Sequence, residues 1–123
     1  MNKKILLIED NDNFRRMVKS YLEKQLSNID VYEASNGELG IEMAVQEKPE
    51  IVITDLRLEN IHGIEAANEI KKSLPDCKII VLTMFEAESF REIFKSNHIN
   101  GYIGKSELYD KLVPALKKIL VNN

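Results

Sequence analysis

Short apolar runs alternate along this chain with longer segments of helical period, and that alternation restricts its fold more than any other feature. Ile5–Ile8, Ile51–Ile53 and Ile79–Leu82 are apolar at every position. A strand with one wet face would alternate apolar and polar residues; a strand apolar throughout has to be covered on both sides. The segments between supply the cover. Phe14, Met17, Val18, Tyr21, Leu22 and Leu26 fall on one helical face, and Leu39, Met43 and Ala44 mark a second helix that stops before Pro49. Ile64, Ala67, Ile70, Lys71 and Leu74 trace a third, closed by Pro75-Asp76, and Phe90, Ile93 and Phe94 a fourth. Leu108, Leu112, Val113, Leu116, Ile119 and Leu120 form the last.

Val31–Ala34 reads as a shorter second strand and Gly101–Gly104 as the fifth. Polar residues from Asn11 to Asn13 can cap the first helix, and Ser106 the last. Five β-α units without repeats or linkers imply an α/β fold, a three-layer sandwich around a five-stranded parallel sheet. Residues 1–123 then form a single domain, large enough to bury roughly two-thirds of its unfolded surface.

Composition narrows the function classes. A net charge of -3 argues against direct nucleic-acid binding by this domain, which would show a basic face. One cysteine, Cys77, excludes an internal disulfide and fits a reducing compartment; beside an apolar run it reads as a small buried thiol. No run approaches the ~18 apolar residues of a membrane span. Met1-Asn2-Lys3-Lys4 enters an apolar run that stops at two acids, unlike a signal peptide. The expectation is a cytoplasmic protein without a membrane partner.

The apolar runs also share a kind of ending. The first meets Glu9 and Asp10, the third Asp55, the fourth Thr83, and Gly101–Gly104 meets Lys105. In a parallel sheet these endings lie at one edge, where α/β proteins bind their ligands. Taken singly, each has a plain explanation. Asp10 or Asp12 can cap a helix, Asp55 can be a turn residue, Thr83 suits a strand, and lone lysines are usually solvated. Together they make three carboxylates, a hydroxyl and an ammonium.

Carboxylates crowded together raise one another's pKa unless a cation intervenes. A hard divalent ion with oxygen ligands, Mg²⁺, is the natural solution. Asp55 can then offer an oxygen as nucleophile. Lys105, Thr83 and nearby backbone N–H groups can neutralise the equatorial oxygens of an incoming phosphoryl group.

With these residues in place the chain resembles the receiver domains of two-component response regulators, from Lys4 to Leu120. The likeness rests on Glu9-Asp10, on Asp55 followed eight residues later by Gly63, on Thr83, and on Tyr102 three residues before Lys105. It implies a flavodoxin-like fold with strand order 2-1-3-4-5; the chemotaxis member of this family is the standard example of that order. It implies that Asp55 accepts phosphate from a sensor histidine kinase. Asp10, Asp55 and the Arg57 carbonyl would ligate Mg²⁺, and Glu9 would act through water.

The resemblance further implies a switch. Thr83 turns toward the phosphoryl group, Tyr102 rotates into the vacated space, and the surface of helix four, strand five and helix five changes partners. The domain would then be a self-modifying phosphoacceptor rather than an enzyme acting on other substrates, and a homodimer on phosphorylation stays open. Leu82-Thr83-Met84 and Gly101–Lys105 followed by a non-proline are most similar to receivers that precede LuxR/NarL-type DNA-binding domains, whose output is transcription. No such output domain lies in this sequence, which leaves open a fragment of a longer regulator or a stand-alone receiver.

Several positions depart from the common pattern. Glu59 stands where a proline is usual, and Ser106 follows Lys105 where many receivers have a cis-proline, leaving that peptide's isomer open. Met84 replaces a small residue, and Arg57 and Phe85 lie where this family borders the phosphoryl group. These three are expected to obstruct the hydrolytic water and lengthen the phosphorylated state. His62 and His98 read as ordinary loop and helix-end residues, and Lys71-Lys72 and Lys117-Lys118 as solvated faces. A haloacid-dehalogenase-type phosphatase uses similar groups, but it places its nucleophile on the first strand with a second aspartate two residues on. Here the acid pair comes first and Arg57 holds that second position. An unphosphorylated binding module is disfavoured by the complete site, and no G-x-G-x-x-G or P-loop sequence is present.

Overall fold

The computed structural model describes residues 2–58, 62–84, 91–96 and 98–121, with the backbone alone at residues 93, 94 and 96. The elements run β1 (Lys3–Ile8), α1 (Asp12–Gln25), β2 (Ile29–Ala34), α2 (Gly37–Glu47), β3 (Ile51–Asp55) and α3 (Gly63–Ser73). They continue through β4 (Lys78–Thr83), α4 (Arg91–Ser96), β5 (Gly101–Gly104), a 3-10 turn (Lys105–Glu107) and α5 (Leu108–Val121). All the strands are parallel, in the order β2-β1-β3-β4-β5, as expected.

The continuous apolar runs split between two cores because successive strand side chains point to opposite faces. On one face Ile5, Leu7, Ile53, Ile80 and Leu82 pack with Val18 and Leu22 of α1 and Leu112 and Leu116 of α5. On the other, Leu6, Ile8, Val52 and Ile79 pack with Ala44 of α2 and Ala66, Ala67 and Ile70 of α3. Fully burying each large aliphatic side chain contributes about 1.5–3 kcal/mol, so the central strands carry much of the stability.

Helix starts follow the expected chemistry in part. The Asn11 side chain caps α1 by accepting the Phe14 N–H at 2.8 Å, and Asn36 does the same for Leu39 of α2 at 2.9 Å. Ser106 does not cap α5 as expected; it sits inside the 3-10 turn, and α5 opens at Leu108. That turn takes up the residues between the strand end and the helix, so Lys105 leaves β5 directly into it. Among the described residues no peptide bond is cis, which settles Lys105–Ser106 as trans. β2 begins at Ile29, two residues before the expected start, because Lys3 and Lys4 of β1 pair with Ile29 and Asp30. Pro114 lies within α5 and costs the helix one backbone bond without ending it.

Cys77 is a free, buried thiol, as expected, and burial pushes its pKa up to about 11. His62 occupies the N-cap position of α3 without a side-chain cap bond, and His98 turns the chain through a left-handed φ of 57°. Among the described residues no helix is long and apolar enough to cross a membrane. Glu59, Phe85 and Phe90 fall outside the described residues, as do the side chains of Ile93 and Phe94.

Candidate functional site

Parallel register brings the strand endings together. Ile8 pairs with Ala34 and Thr54, so Glu9-Asp10 and Asp55 leave adjacent strands at one level. Asp55 pairs with Leu82 and Thr83 with Gly104, which places Thr83 and Lys105 at the same sheet edge. Residues far apart in the chain thus converge by topology, not by local sequence.

The carboxylates of Glu9, Asp10 and Asp55 each offer an oxygen, and these oxygens lie within 4.8 Å of one another. Glu9 and Asp55 are buried at 2% and 9% exposure, whereas Asp10 is open to solvent. Lys105 Nζ lies between the buried pair, 2.8 Å from Glu9 Oε1 and 3.1 Å from Asp55 Oδ2. Removal from water is the largest influence on Glu9 and pushes its pKa up. The Lys105 hydrogen bond and the Asn11 N–H oppose that shift, and Asp10 and the Asp55 charge add to it. Burial alone would lower the Lys105 pKa, but its bond to Glu9 and the charges of Asp55 and Glu9 outweigh burial and raise it. One ammonium thus serves two carboxylates, and a third stands beside them. This all-oxygen donor set fits a hard divalent cation such as Mg²⁺, which would relieve the crowding of negative charge.

Two neighbours hold Asp55 from its own loop. The Arg57 N–H reaches Asp55 Oδ1 at 3.4 Å, so the carboxylate lies close to the backbone that follows it. Gly63 donates its N–H to the Leu56 carbonyl at 3.0 Å, holding the start of α3 against the end of β3. A Cβ at Gly63 would overlap the Asp55 carbonyl oxygen, so this close approach requires glycine. The expected eight-residue spacing therefore has a steric cause.

Thr83 is fully buried at the end of β4, and Tyr102 is half-buried on β5. Tyr102 pairs with Val81, two residues before Thr83, so both side chains rise from one face of the sheet on neighbouring strands. Met84, the next residue, is 79% exposed.

Two residues at the site escaped the sequence reading. Phe14 was assigned only to the core face of the first helix, yet Lys105 Nζ stands 4.4 Å from its ring centroid. A cation over an aromatic face gains about 0.5–2 kcal/mol, which helps hold the ammonium over the carboxylates. Arg15 is buried at 8% exposure and donates from Nη1 to the Glu9 carbonyl at 2.7 Å. The only trace of it in sequence is a cation in the first turn of a helix, where the macrodipole disfavours one.

The model of the response regulator receiver domain matches residues 5–117. The response regulator protein VraR of Staphylococcus saprophyticus is 31% identical over 122 residues, covering 97% of this chain and 57% of that protein. The chain therefore spans slightly more than half the length of such curated relatives. Among solved structures, a LuxR-family two-component response regulator from Aurantimonas sp. SI85-9A1 superposes with a TM-score of 0.90 at 26% identity, over 100% of this chain and 88% of that one. Response regulator TrrA from Thermotoga maritima, solved in complex with Mg²⁺-BeF, gives a TM-score of 0.84 at 32% identity, over 95% of this chain and 98% of that one.

Proposed function

The chain belongs to the response regulator receiver domain family, and on that premise we propose that Asp55 is its phosphoacceptor, charged by a sensor histidine kinase. The observation that carries this reading is Lys105 bridging Glu9 and Asp55 at 2.8 and 3.1 Å, with Asp10 completing a three-carboxylate cluster. Lys105 on Oδ2 and the Arg57 N–H on Oδ1 aim the Asp55 carboxylate, which a nucleophile needs. An Asp55 oxygen attacks phosphorus as the P–N bond to the kinase histidine breaks, and the ring nitrogen keeps the electron pair.

Glu9, Asp10, Asp55 and the Arg57 carbonyl would hold Mg²⁺, which would supply positive charge to the carboxylates and the transferring phosphoryl group. Lys105, in reach of both Glu9 and Asp55, contributes a further positive charge. The Thr83 hydroxyl donates to a phosphoryl oxygen, and its turn toward that oxygen clears space for Tyr102. The altered surface of α4, β5 and α5 then changes partners, including a second copy of the chain. Transcription through a DNA-binding domain is the output we propose, by similarity to the LuxR-family regulators. The same reading makes the domain a substrate for its kinase and a catalyst only of its own phosphorylation and dephosphorylation, working in the cytoplasm.

The decisive experiment incubates the protein with Mg²⁺ and acetyl phosphate and follows intact mass. One phosphoryl adduct in the wild type, absent in Asp55→Asn, is expected. Sustained turnover of varied phosphomonoesters would favour a phosphatase, and no adduct from either acetyl phosphate or a kinase would favour a binding module.

A further inference from the structure

Glu9 is held from four directions, and only one of them is the site's own lysine. Its N–H donates to the Ala34 carbonyl of β2 at 3.0 Å, extending the β1–β2 ladder by one residue. Its side chain accepts from Lys105 Nζ at 2.8 Å and from the Asn11 N–H at 3.0 Å. Its carbonyl oxygen, which belongs to the peptide unit leading into Asp10, accepts from Arg15 Nη1 at 2.7 Å in a buried bond.

The guanidinium uses its other nitrogens to fix itself. Nε donates to Glu33 Oε1 of β2 at 3.1 Å, and Nη2 lies 2.8 Å from Asp12 Oδ1. Lys19 Nζ stands 3.6 Å from the other Glu33 oxygen and steadies that carboxylate in turn. Three separate acceptors in fixed directions are what a planar fork of N–H groups suits and a lysine does not. The position is unfavourable for the helix itself, since a cation in the first turn of α1 opposes the macrodipole. A buried charge there also loses its hydration and needs these partners to be tolerated.

We propose that Arg15 is a positioning residue for the acid pair. By clamping the Glu9 carbonyl it fixes the plane of the Glu9–Asp10 peptide, and with it the place from which the exposed Asp10 carboxylate faces the cation site. Glu33 acts through Arg15, so the edge strand β2 sets the geometry of a metal site it never enters. The inference rests on the reading that Glu9, Asp10 and Asp55 hold Mg²⁺.

The test titrates Mg²⁺ into the unphosphorylated protein by calorimetry, comparing wild type with Arg15→Lys and Glu33→Ala. Removing a residue that orients a metal ligand characteristically weakens metal binding by about 10- to 100-fold. A loss of about tenfold is expected for Arg15→Lys and a smaller one for Glu33→Ala, which leaves Arg15 in place but unanchored on one side. With acetyl phosphate, the Mg²⁺ concentration for half-maximal labelling should rise by the same factor, while the rate at saturating Mg²⁺ stays near that of wild type. A fall in thermal stability with unchanged Mg²⁺ affinity would reduce Arg15 to a structural residue and overturn the proposal. Should Arg15→Lys fail to fold, unchanged Mg²⁺ affinity in Glu33→Ala overturns it equally. A wild-type protein that binds no Mg²⁺ would remove the reading of the site itself, and this inference with it.

Discussion

Gly63 lies with its bare Cα against the carbonyl oxygen of Asp55, closer than any side chain would allow. The start of α3 is thereby held against the end of β3, and the Gly63 N–H bond to the Leu56 carbonyl fixes it there. Gly63→Ala has no flexible neighbour to displace, because the overlapping atoms are backbone. The variant should lose about 1–3 kcal/mol in urea unfolding. It should also take up phosphate from acetyl phosphate more slowly, since relief of the overlap has to move Asp55.

Removing the shared ammonium tests the charge balance of the site. Lys105→Met leaves Glu9 and Asp55 buried without a counter-charge, a loss on the order of 3 kcal/mol in the metal-free protein. Added Mg²⁺ should restore part of that stability, so the metal-induced rise in Tm is expected to be larger in Lys105→Met than in wild type. An equal rise in both proteins would mean that the cation and the lysine act at different places.

The raised Glu9 pKa has a signed consequence. Its folded pKa lies above the unfolded value of about 4.5, so the fold binds that proton more tightly. The associated stability is complete below the unfolded value and is lost as pH rises through the folded one. A metal ligand must be deprotonated, so the Tm gain from Mg²⁺ should grow with pH over this window and fade on acidification. Differential scanning fluorimetry across that range, with and without Mg²⁺, checks it.

Cys77 gives a second pH signature, independent of the site. Its thiol titrates at about 11 in the fold against 9.0 in its absence, so native protein should react negligibly with a thiol reagent at pH 8 and rapidly once unfolded. Between those two values stability should fall with rising pH by about 3 kcal/mol in total. Cys77→Ala should flatten that part of the profile.

The lifetime of the phosphorylated state tests the residues expected to shield the phosphoryl group. The double variant Arg57→Ala, Phe85→Ala should lose phosphate several times faster than wild type, followed by intact mass after removal of the donor. Unchanged kinetics would remove both from the set that shields the phosphoryl group.

Much of this was legible before any coordinates because the sheet is parallel and covered on both faces. Under those conditions the core strands are apolar at every position, and their ends have to share an edge. The runs ending at Glu9, Asp55, Thr83 and Lys105 therefore located the shared edge and the candidate site on it. Arg15 and Phe14 were not legible because their roles depend on groups brought near by folding. Glu33 lies 18 positions from Arg15, and Lys105 reaches Phe14 across nearly the whole chain. Ser106 misled for a local reason: a hydroxyl residue before an apolar helix reads as a cap, and only the 3-10 turn shows that the helix begins later.

Glu9 and Lys105 are separated by 96 positions, and Asp55 lies 50 positions from Lys105. The acid follows the first strand and the ammonium the last, so the set needs both β1 and β5 in the sheet. The assembled cluster is therefore a property of the complete sheet. The bridge from Lys105 to Glu9 and Asp55 exists only once β5 has joined the sheet beside β4.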